Sequence, residues 1–393
     1  MKVLIIVDDY LPKSVKITGK MIHELALEFV KQGHFVSVVT PDTTQKEISK
    51  IENYEGVNVL RFRSGRIKNV NKVIRLFNEL LLSYRAWICF RKWLLNNRHE
   101  LVVYYSPSIF WAPLVEKLVN IWKCPTYLIL RDFFPQWVID SGMISGDSFI
   151  AKFFRYFEYR NYKVASRIGV MSIANAKWFK ENFPKLKNVE ILYNWTSPKQ
   201  IITKVSLRKK YSLGEKIVFF YGGNIGHAQY MKNLLDLASK LDNRKDVFFV
   251  FIGAGDEEDL VREYILRQNL TNCILLESVS QDIFESYLAE ADIGMFTLHP
   301  DHKTHNFPGK ILGYIQVGLP ILGAVNRGND LKDLINEAEA GYISESGDLD
   351  LLYQNALKLL DSNTRKRMGR NAESLLNKQF STFAAVKKIS DFV

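Results

Sequence analysis

The segment YGGNIGHAQYMKN (residues 221–233) has the residue types that bind phosphate groups. An apolar run leads into a glycine-rich turn, and a helical pattern follows it. Glycines let a backbone approach a phosphate closely, and the free N–H groups at a helix start carry partial positive charge. Gly223, Asn224 and Gly226 are therefore candidate ligand-binding residues. The spacing is neither GxGxxG nor a Walker loop, so a tight turn without a ligand is the alternative.

A second glycine-rich turn, FIGAGDEED (251–259), also follows an apolar run. It adds Gly253 to the binding candidates, although an ordinary strand-to-helix turn would look the same. Val279 is a further candidate, because it lies in a third loop that follows an apolar run, residues 278–282.

Lys310 is the ionisable residue best suited to an anionic ligand. In NFPGKILGY (306–314), Pro308 and Gly309 interrupt the chain, and Lys310 then opens an apolar helical run. This order places an ammonium group and free backbone N–H groups at one helix start. The alternative is a solvated lysine on the surface.

Charged residues follow two apolar runs in the first half of the chain. Asp8 and Asp9 come after the first run, where a carboxylate faces a ligand or caps a turn. Arg131 and Asp132 come directly after PTYLIL (125–130) and need water or partners, because unpaired buried charge is costly. We expect Asp132 to orient or deprotonate a substrate hydroxyl, with Arg131 and Asp9 as further catalytic candidates. A structural salt bridge at the strand end is the alternative.

Short apolar runs that alternate with helical patterns must position these residues. Near-continuous apolar runs suit strands that are buried on both faces, and their alternation with helices predicts parallel sheets. The predicted strands are residues 2–7, 34–40, 57–62, 100–105, 125–130, 167–172, 189–193, 216–222, 247–253, 273–278, 292–297 and 320–325. The fold class is therefore α/β, with two rounds of strand and helix.

The two rounds predict two Rossmann-like domains. We place them at residues 1–195 and 205–375, and we expect residues 376–393 to pack back on the first domain. The polar stretch 194–210 is the predicted linker. Ligands of such sheets bind beyond the carboxyl ends of the strands, at topological switch points, so the site is expected in a cleft between the two domains.

Composition excludes several classes of protein. The chain has 393 residues, of which 47% are hydrophobic and 24% charged, and this is incompatible with a disordered or collagen-like protein. Its three cysteines are far apart and form no metal-binding pattern, which favours a reducing compartment. The N-terminal apolar run is too short for a signal peptide. These features predict a cytoplasmic location.

Residues 61–98 are strongly basic, with ten Lys and Arg residues and one acid, Glu79. Basic residues interrupt the apolar pattern, so a membrane-spanning helix is excluded, but a helix lying on anionic headgroups is expected. A core helix with a basic edge is the alternative, and no known nucleic-acid-binding module is present. Residues 149–163 have the same character. The expected membrane anchors are Trp87, Phe90 and Trp93.

Motifs along nearly the whole chain resemble one enzyme family. They are His23-Glu-Leu, GHFVSVVT (33–40), GGNIG (222–226), FIGAG (251–255), AEADIGMF (289–296) and PGKILGYIQVGLPIL (308–322). The pattern resembles the family 4 glycosyltransferases, whose GT-B fold consists of two facing Rossmann-like domains. RDFFPQW (131–137), GNIGHAQ (223–229) and NRGNDL (326–331) further resemble the L-fucosamine transferases of bacterial O-antigen and capsule assembly.

The resemblance implies an enzyme on the inner face of the cell membrane. It would move a sugar, best matched by N-acetyl-L-fucosamine, from a UDP-sugar to an undecaprenyl-diphosphate-linked sugar. It implies no metal and no other cofactor at the catalytic step. A UDP-N-acetylglucosamine 2-epimerase of the same fold and a non-catalytic, membrane-bound partner of a glycan assembly complex are the alternatives.

The sequence departs from the family at the donor site. The family has a pair of glutamates there, but the matching positions hold His305 and Gly313. Retention of the anomeric configuration is therefore open. The candidates for binding ribose in place of a glutamate are Asn306, Asn329 and Asp330.

The phosphate-binding residues of the family are also altered. Lys232 is the basic residue that could replace the family's lysine after the first strand of the second domain. The resemblance therefore favours Lys310, with the backbone N–H groups of Gly226 and Gly309, as the diphosphate site. In the first domain, the matching loop contributes Thr18 and Gly19.

Overall fold

The computed structural model describes residues 1–13, 17–67, 70–106, 108–198, 203–301 and 307–393. The chain divides into two compact units, residues 1–193 with 382–393 and residues 194–381. The sequence analysis predicted that the first domain ends at residue 195, that the second begins at residue 205, and that the chain returns to the first domain from residue 376. In the structure the chain rejoins the first unit at residue 382, because the helical turn Leu376–Phe380 belongs to the second unit.

The first unit is built on an eight-stranded sheet of order β3-β4-β2-β1-β5-β6-β7-β8. Its strands are β1 (Lys2–Ile6), β2 (Phe35–Asp42), β3 (Ser49–Tyr54), β4 (Val57–Arg63), β5 (Leu101–Tyr105), β6 (Thr126–Ile129), β7 (Arg167–Val170) and β8 (Val189–Ile191). All neighbours are parallel except β3 and β4, which are antiparallel. The sequence analysis missed β3, because this edge strand is largely exposed and has no apolar run.

Helices cover both faces of this sheet. They are α1 (Ile17–Lys31), α2 (Lys72–Leu80), α3 (Leu82–Asn96), α4 (Ala112–Trp122), α5 (Gln136–Asp140), α6 (Phe149–Lys163), α7 (Ile173–Asn182) and the C-terminal helix, α16 (Thr382–Ser390). Leu4 and Ile6 of β1 share a core with residues of α3, α4 and α6. Val3 and Ile5 point to the opposite face because side chains alternate along a strand. There α1 packs against α16.

The second unit has a six-stranded, fully parallel sheet of order β11-β10-β9-β12-β13-β14. Its strands are β9 (Ile217–Gly222), β10 (Val247–Ile252), β11 (Cys273–Leu276), β12 (Ile293–Thr297), β13 (Ile321–Val325) and β14 (Gly341–Glu345). Its helices are α8 (Leu207–Lys210), α9 (Lys232–Lys240), α10 (Glu258–Arg267), α11 (Gln281–Leu288), α12 (Lys310–Gln316), α13 (Leu331–Glu337), α14 (Leu349–Lys358) and α15 (Ser362–Leu375). The predicted parallel α/β fold is confirmed, with β14 as one more strand.

The described part of the predicted linker 194–210 belongs to the second unit. The Thr196 N–H donates to the Phe380 carbonyl over 2.8 Å, and the Lys204 N–H donates to Ser286 Oγ over 3.0 Å. These contacts attach the described part of the predicted linker to the second unit, which polar composition alone does not reveal.

The strand orders locate one topological switch point in each unit. In the first unit the switch lies between β1 and β5, because the strand that follows β1 in the chain, β2, pairs with its other side. In the second unit the switch lies between β9 and β12. Ligand sites are expected in the loops at these carboxyl ends, and most of the candidate residues lie there.

Candidate active site

The loop after β9 turns at Gly223, which has a φ of +124°. The Gly223 N–H donates to the Ile252 carbonyl over 2.9 Å, and the Ile225 N–H donates to the Ala254 carbonyl over 3.0 Å. This loop therefore lies directly against the loop after β10. A Cβ atom on Gly253 would lie 1.8 Å from the Gly223 carbonyl oxygen. Gly253 thus allows the two loops to pack, which shapes the turn.

Lys310, the first residue of α12, brings its ammonium group to the Gly223 turn. Its Nζ lies 3.7 Å from the centroid of the Tyr221 ring, a cation–π contact. The same atom lies 3.9 Å from where a Cβ on Gly223 would be. The structure therefore joins two segments that are far apart in the sequence, as the binding hypothesis requires.

The ammonium group of Lys310 is desolvated, and the structure describes no carboxylate that would balance its charge. Burial lowers the pKa of its ammonium group from the usual 10.5 to about 7. None of the carboxylates that the structure describes forms a salt bridge with it. A desolvated cation without a counter-charge is stabilised by an anion, which would raise the pKa again. The turn at Gly223 is exposed beside it, so a phosphate group can reach both.

Gly226 fits the phosphate hypothesis less well. A Cβ on Gly226 would lie 2.4 Å from Asp256 Oδ1, so a carboxylate lies against this part of the turn. A negative charge there opposes binding of a phosphate to the Gly226 N–H. Asn224 is exposed, and its side-chain amide donates to Gln229 Oε1 over 2.7 Å. The candidate residues that remain suited to an anion are therefore Gly223 and Lys310, on the other side of the turn.

Lys232 and Asn329 have internal partners in the structure. The ammonium group of Lys232 forms a 2.6 Å ion pair with Asp236, one helical turn away, and its side chain is 56% exposed. Asn329 is buried, donates to Asn326 Oδ1 and accepts from the Leu331 N–H, both over 3.1 Å. Asn329 therefore shapes the start of α13, and its role in ribose binding stays a prediction.

Asp330 is half-buried at the N-terminal end of α13. The other donor-site candidates have varied exposure. Val279, Pro308 and Gly313 are half-buried, and Gly309 is exposed at the start of α12. Asn306 and His305 lie outside the described residues.

Arg131 and Asp132 have different surroundings although they are adjacent. The Arg131 guanidinium is buried and donates to the carbonyls of Gly169 (3.4 Å) and Tyr193 (3.3 Å). Burial lowers its pKa to about 10, so it stays charged at neutral pH. These contacts tie the end of β6 to the ends of β7 and β8. Arg131 thus has a structural role, and its catalytic role stays a prediction.

The Asp132 carboxylate is exposed, yet the surrounding chain partly desolvates it and raises its pKa above the usual value. The positive charge of Arg131 opposes this shift. A raised pKa and contact with solvent suit a group that exchanges protons with a substrate. Tyr105 is buried at the end of β5, and its hydroxyl forms a hydrogen bond with the Thr18 side chain. The negative charges of Asp132 and Asp8 are close enough to raise its pKa further. Burial raises its pKa to about 12.

Thr18 and Gly19 lie in the first turn of α1, with Gly19 buried. Sequence reasoning missed Tyr105, although its position at the end of a predicted strand beside the switch point was a usable signal. It also missed Tyr221, which was quoted in the glycine segment but not assigned a role.

Asp9 lines a cavity of about 340 Å³ at the carboxyl ends of β1, β2 and β4. The cavity walls carry equal numbers of acidic and basic side chains. They are Asp8, Asp9, Tyr10, Lys13, Pro41, Asp42, Thr43, Thr44, Arg61, Arg66 and Ile67. Such mixed donors and acceptors suit a polar ligand with many hydroxyl groups.

The cavity wall is held by two buried charges. Asp42 accepts from Lys13 Nζ over 2.6 Å and from the Thr44 N–H over 2.8 Å, and these bonds lower its pKa although burial opposes them. Arg61 donates to Glu52 Oε1 over 2.6 Å and to the Leu11 carbonyl. Arg61 is therefore unavailable to the basic membrane surface that the sequence predicted from residue 61 onward.

No group of three or more His, Cys, Asp or Glu side chains among the described residues is placed to hold a metal ion.

The second unit is similar to a known protein family. Residues 204–375 match the family Glycosyl transferases group 1. The chain is 22% identical over 267 residues to "Probable glycosyltransferase WbjE" of Pseudomonas aeruginosa, covering 67% of this chain and 66% of that protein. It is 20% identical over 341 residues to "Putative colanic acid biosynthesis glycosyl transferase WcaI" of Escherichia coli K12, covering 81% and 82%.

The fold is also found in solved structures. Anabaena HepE in complex with UDP and glucose superposes with a TM-score of 0.66 at 13% identity, over 100% of this chain and 99% of that one. This likeness confirms the GT-B fold, in which each unit is Rossmann-like. The family match and the relatives confirm the prediction that the protein is a glycosyltransferase.

Proposed function

We propose that this glycosyltransferase uses a nucleoside diphosphate sugar, bound by the second unit, and a lipid-linked sugar acceptor, bound by the first. The observation that carries the donor assignment is the half-buried, desolvated side chain of Lys310, with its ammonium group beside the Gly223 turn. Its lowered pKa means that the folded protein holds a poorly solvated cation, and a diphosphate supplies the missing negative charge. UDP fits this proposal, since HepE binds UDP in its structure.

The same contact would assist the reaction. Cleavage of the bond between the sugar and the β-phosphate leaves one more negative charge on that phosphate, and a cation fixed beside it stabilises this charge as it develops. Lys310 is held in place by the Tyr221 ring, so little reorganisation is needed during the reaction.

The acceptor assignment rests on the first unit. Asp132 is exposed, has a raised pKa and lies beside the switch point, so it can accept a proton from a sugar hydroxyl. The cavity that Asp9 lines offers donors and acceptors for further hydroxyl groups.

The relatives support a role in the assembly of a bacterial surface polysaccharide, because WcaI is described as a colanic acid biosynthesis enzyme. An acceptor linked to a lipid diphosphate, such as undecaprenyl diphosphate, fits that role. N-acetyl-L-fucosamine is the donor sugar that we propose, on the resemblance of residues 131–137, 223–229 and 326–331 to transferases of that sugar.

The test is a donor screen with the full chain. UDP release is measured for a panel of UDP-sugars, including UDP-N-acetyl-L-fucosamine, with and without a short-chain lipid-diphosphate sugar. We expect release that depends on the acceptor and a new glycan seen by mass spectrometry. Epimerisation of the donor without acceptor would instead identify a 2-epimerase. Absence of binding for every nucleotide sugar would identify a non-catalytic partner.

A further inference from the structure

We propose, on the basis of the acceptor site proposed above, that His23 and Glu55 position Tyr10 for acceptor binding. Tyr10 follows β1 and lines the polar cavity at the carboxyl ends of β1, β2 and β4. Its hydroxyl begins a chain of hydrogen bonds that continues through His23 of α1 to Glu55, in the turn between β3 and β4. The chain therefore links a wall of the cavity to the surface of the first unit.

The direction of these hydrogen bonds follows from the carboxylate at the end of the chain. Glu55 Oε2 lies 3.1 Å from His23 Nε2, and a carboxylate only accepts, so this nitrogen carries the proton. In the neutral imidazole Nδ1 is then an acceptor, and it lies 2.8 Å from the Tyr10 hydroxyl oxygen. Burial raises the pKa of Tyr10 well above its usual value, so the hydroxyl keeps a proton to donate. Glu55 thus fixes the tautomer of His23, and His23 fixes the Tyr10 hydroxyl.

The side chains of Tyr10 and His23 have little freedom to turn. The two residues are only 2% and 4% exposed. The His23 ring packs against the rings of Tyr10 and Tyr54, with centroids 5.4 and 4.9 Å away. A buried hydroxyl or imidazole group that loses its partner costs free energy, so rotation of either ring is opposed. The hydrogen bonds and the packing therefore hold the Tyr10 ring in one orientation.

Glu55 is an unusual residue for its place in the backbone. Glu55 and Gly56 form the two-residue turn between β3 and β4, with φ of +51° and +85°. Positive φ at both positions favours Asn, Asp or Gly at the first, because most other side chains crowd the backbone there. The Glu55 side chain is 56% exposed, so burial does not offset this cost. Its bond to His23 is the compensating contact, and strain of this kind is typical of residues that serve a site.

Fixing Tyr10 also fixes the loop that carries acidic residues of the cavity. Asp8 and Asp9 lie on the same loop as Tyr10 and line the cavity with it. Arg61 donates to the carbonyl of Leu11, which holds the next residue of the loop. A ligand with hydroxyl groups therefore meets donors and acceptors that are ordered before it binds, and this lowers the entropic cost of binding.

The cavity adjoins the residue proposed to accept the proton. Asp8 lines the cavity, and its charge raises the pKa of Tyr105, as does the charge of Asp132. Asp8 and Asp132 therefore both lie near the end of β5. An acceptor whose reacting hydroxyl reaches Asp132 can extend into the cavity, where the wall formed by Tyr10 affects how tightly it binds. Tyr10 should have little effect on the chemical step, because its hydroxyl donates to His23.

The test is steady-state kinetics of the full chain, with the UDP-sugar that the donor screen identifies and a short-chain lipid-diphosphate sugar as acceptor. Tyr10→Phe removes the hydroxyl and keeps the ring, and Glu55→Asn breaks the contact with His23. Each should raise the KM for the acceptor roughly 3- to 10-fold, the effect of one lost hydrogen bond. The kcat and the Kd of UDP should stay within about twofold of the unchanged protein, since the chain acts on acceptor binding.

Glu55→Asn separates positioning from a merely structural role. Asn favours positive φ at this turn and water can replace the exposed carboxylate, so the urea midpoint should stay the same or rise while the KM rises. A structural role alone would lower the midpoint and leave the KM for the acceptor unchanged. The double variant Tyr10→Phe/Glu55→Asn should raise the KM no more than Tyr10→Phe, because both changes act on one chain.

The matched control is Lys123→Asn. Lys123 also has a positive φ, +52°, but it is exposed after α4 and precedes β6, at the end of the sheet opposite to the cavity. The control relieves the same kind of backbone strain and should keep the KM of the unchanged protein. An equal rise of the KM in this control would overturn the positioning role.

Unchanged KM values in folded Tyr10→Phe and Glu55→Asn, or fully additive increases in the double variant, would also overturn it. Transfer by the unchanged protein would in those cases still support the proposed function. If the unchanged protein transfers sugar to no acceptor of this class, the proposed function fails and the positioning role fails with it.

Discussion

Replacing Lys310 with methionine should change ligand affinity and stability in opposite directions. Methionine keeps the apolar stem against Tyr221 and removes only the charge. If Lys310 binds the diphosphate, the loss of this charge-assisted contact should weaken UDP binding by about 1.5–3 kcal/mol, or roughly 10- to 150-fold. Isothermal titration calorimetry with UDP measures this directly.

The pH dependence follows from the pKa of about 7 for Lys310 in the folded protein without ligand. The ligand selects the protonated lysine, so above pH 7 UDP affinity should fall by up to about tenfold per pH unit. The Lys310→Met variant should not show this lysine-dependent fall. Titrations at pH 7, 8 and 9 compare the two slopes.

The free energy of unfolding should rise with pH, whereas UDP affinity should fall. The unfolded chain has a lysine pKa near 10.5, above the folded value of about 7, so between these values the unfolded state binds more protons. The stability of the unchanged protein should therefore rise with pH, by up to about 1.4 kcal/mol per unit. Lys310→Met should lack this rise and be the more stable protein at pH 7, as urea unfolding measures.

A matched control is Lys240→Met, at the opposite end of α9 from the Gly223 turn, where the lysine pairs with the exposed Asp350. It should leave UDP affinity and its pH dependence unchanged. A folded Lys310→Met variant that binds UDP as tightly as the unchanged protein would refute the diphosphate assignment. Equal losses in both variants would show that general surface charge, and not a specific site, attracts UDP.

Three further variants test the site. Asp132→Asn should lower kcat by ~10²–10⁴-fold with unchanged UDP affinity, and near-normal turnover would rule out its role as a base. Arg131→Met should destabilise the protein by about 2–4 kcal/mol in urea unfolding, because it frees buried carbonyls, and a stable variant with low kcat would support the catalytic assignment. Gly253→Ala should cost about 1–3 kcal/mol because its Cβ would lie 1.8 Å from the Gly223 carbonyl oxygen, and an unchanged urea midpoint would contradict that contact.

Much of the fold could be predicted from the sequence, because a parallel strand buried on both faces needs a continuous apolar run. The five residues of β5, LVVYY, are all buried, and this run was recognised as a strand. The edge strand β3 was not predicted, because it is largely exposed and therefore has no continuous apolar run. The strand-turn-helix order around Gly223 was equally clear, since a turn of this shape favours glycine.

The roles of individual site residues were harder to predict, because they depend on tertiary structure. Arg131 and Asp132 are adjacent in the loop after β6, but the fold buries the first among carbonyls and leaves the second exposed. No local pattern could assign these roles. Phe90 and Phe149 likewise lie in similar aromatic, basic helices, yet one is core and the other is 92% exposed. Packing between distant segments decided both cases.

The sequence by itself determined the parallel sheets, the glycine turn and the lysine at a helix start, because these follow from local burial and backbone geometry. Only the tertiary structure decided that Lys310 lies over the Tyr221 ring beside Gly223 and is partly desolvated there. The physical reason is that desolvation and charge depend on what surrounds a group in space. For Lys310 those surroundings come from a different strand and loop of the sheet.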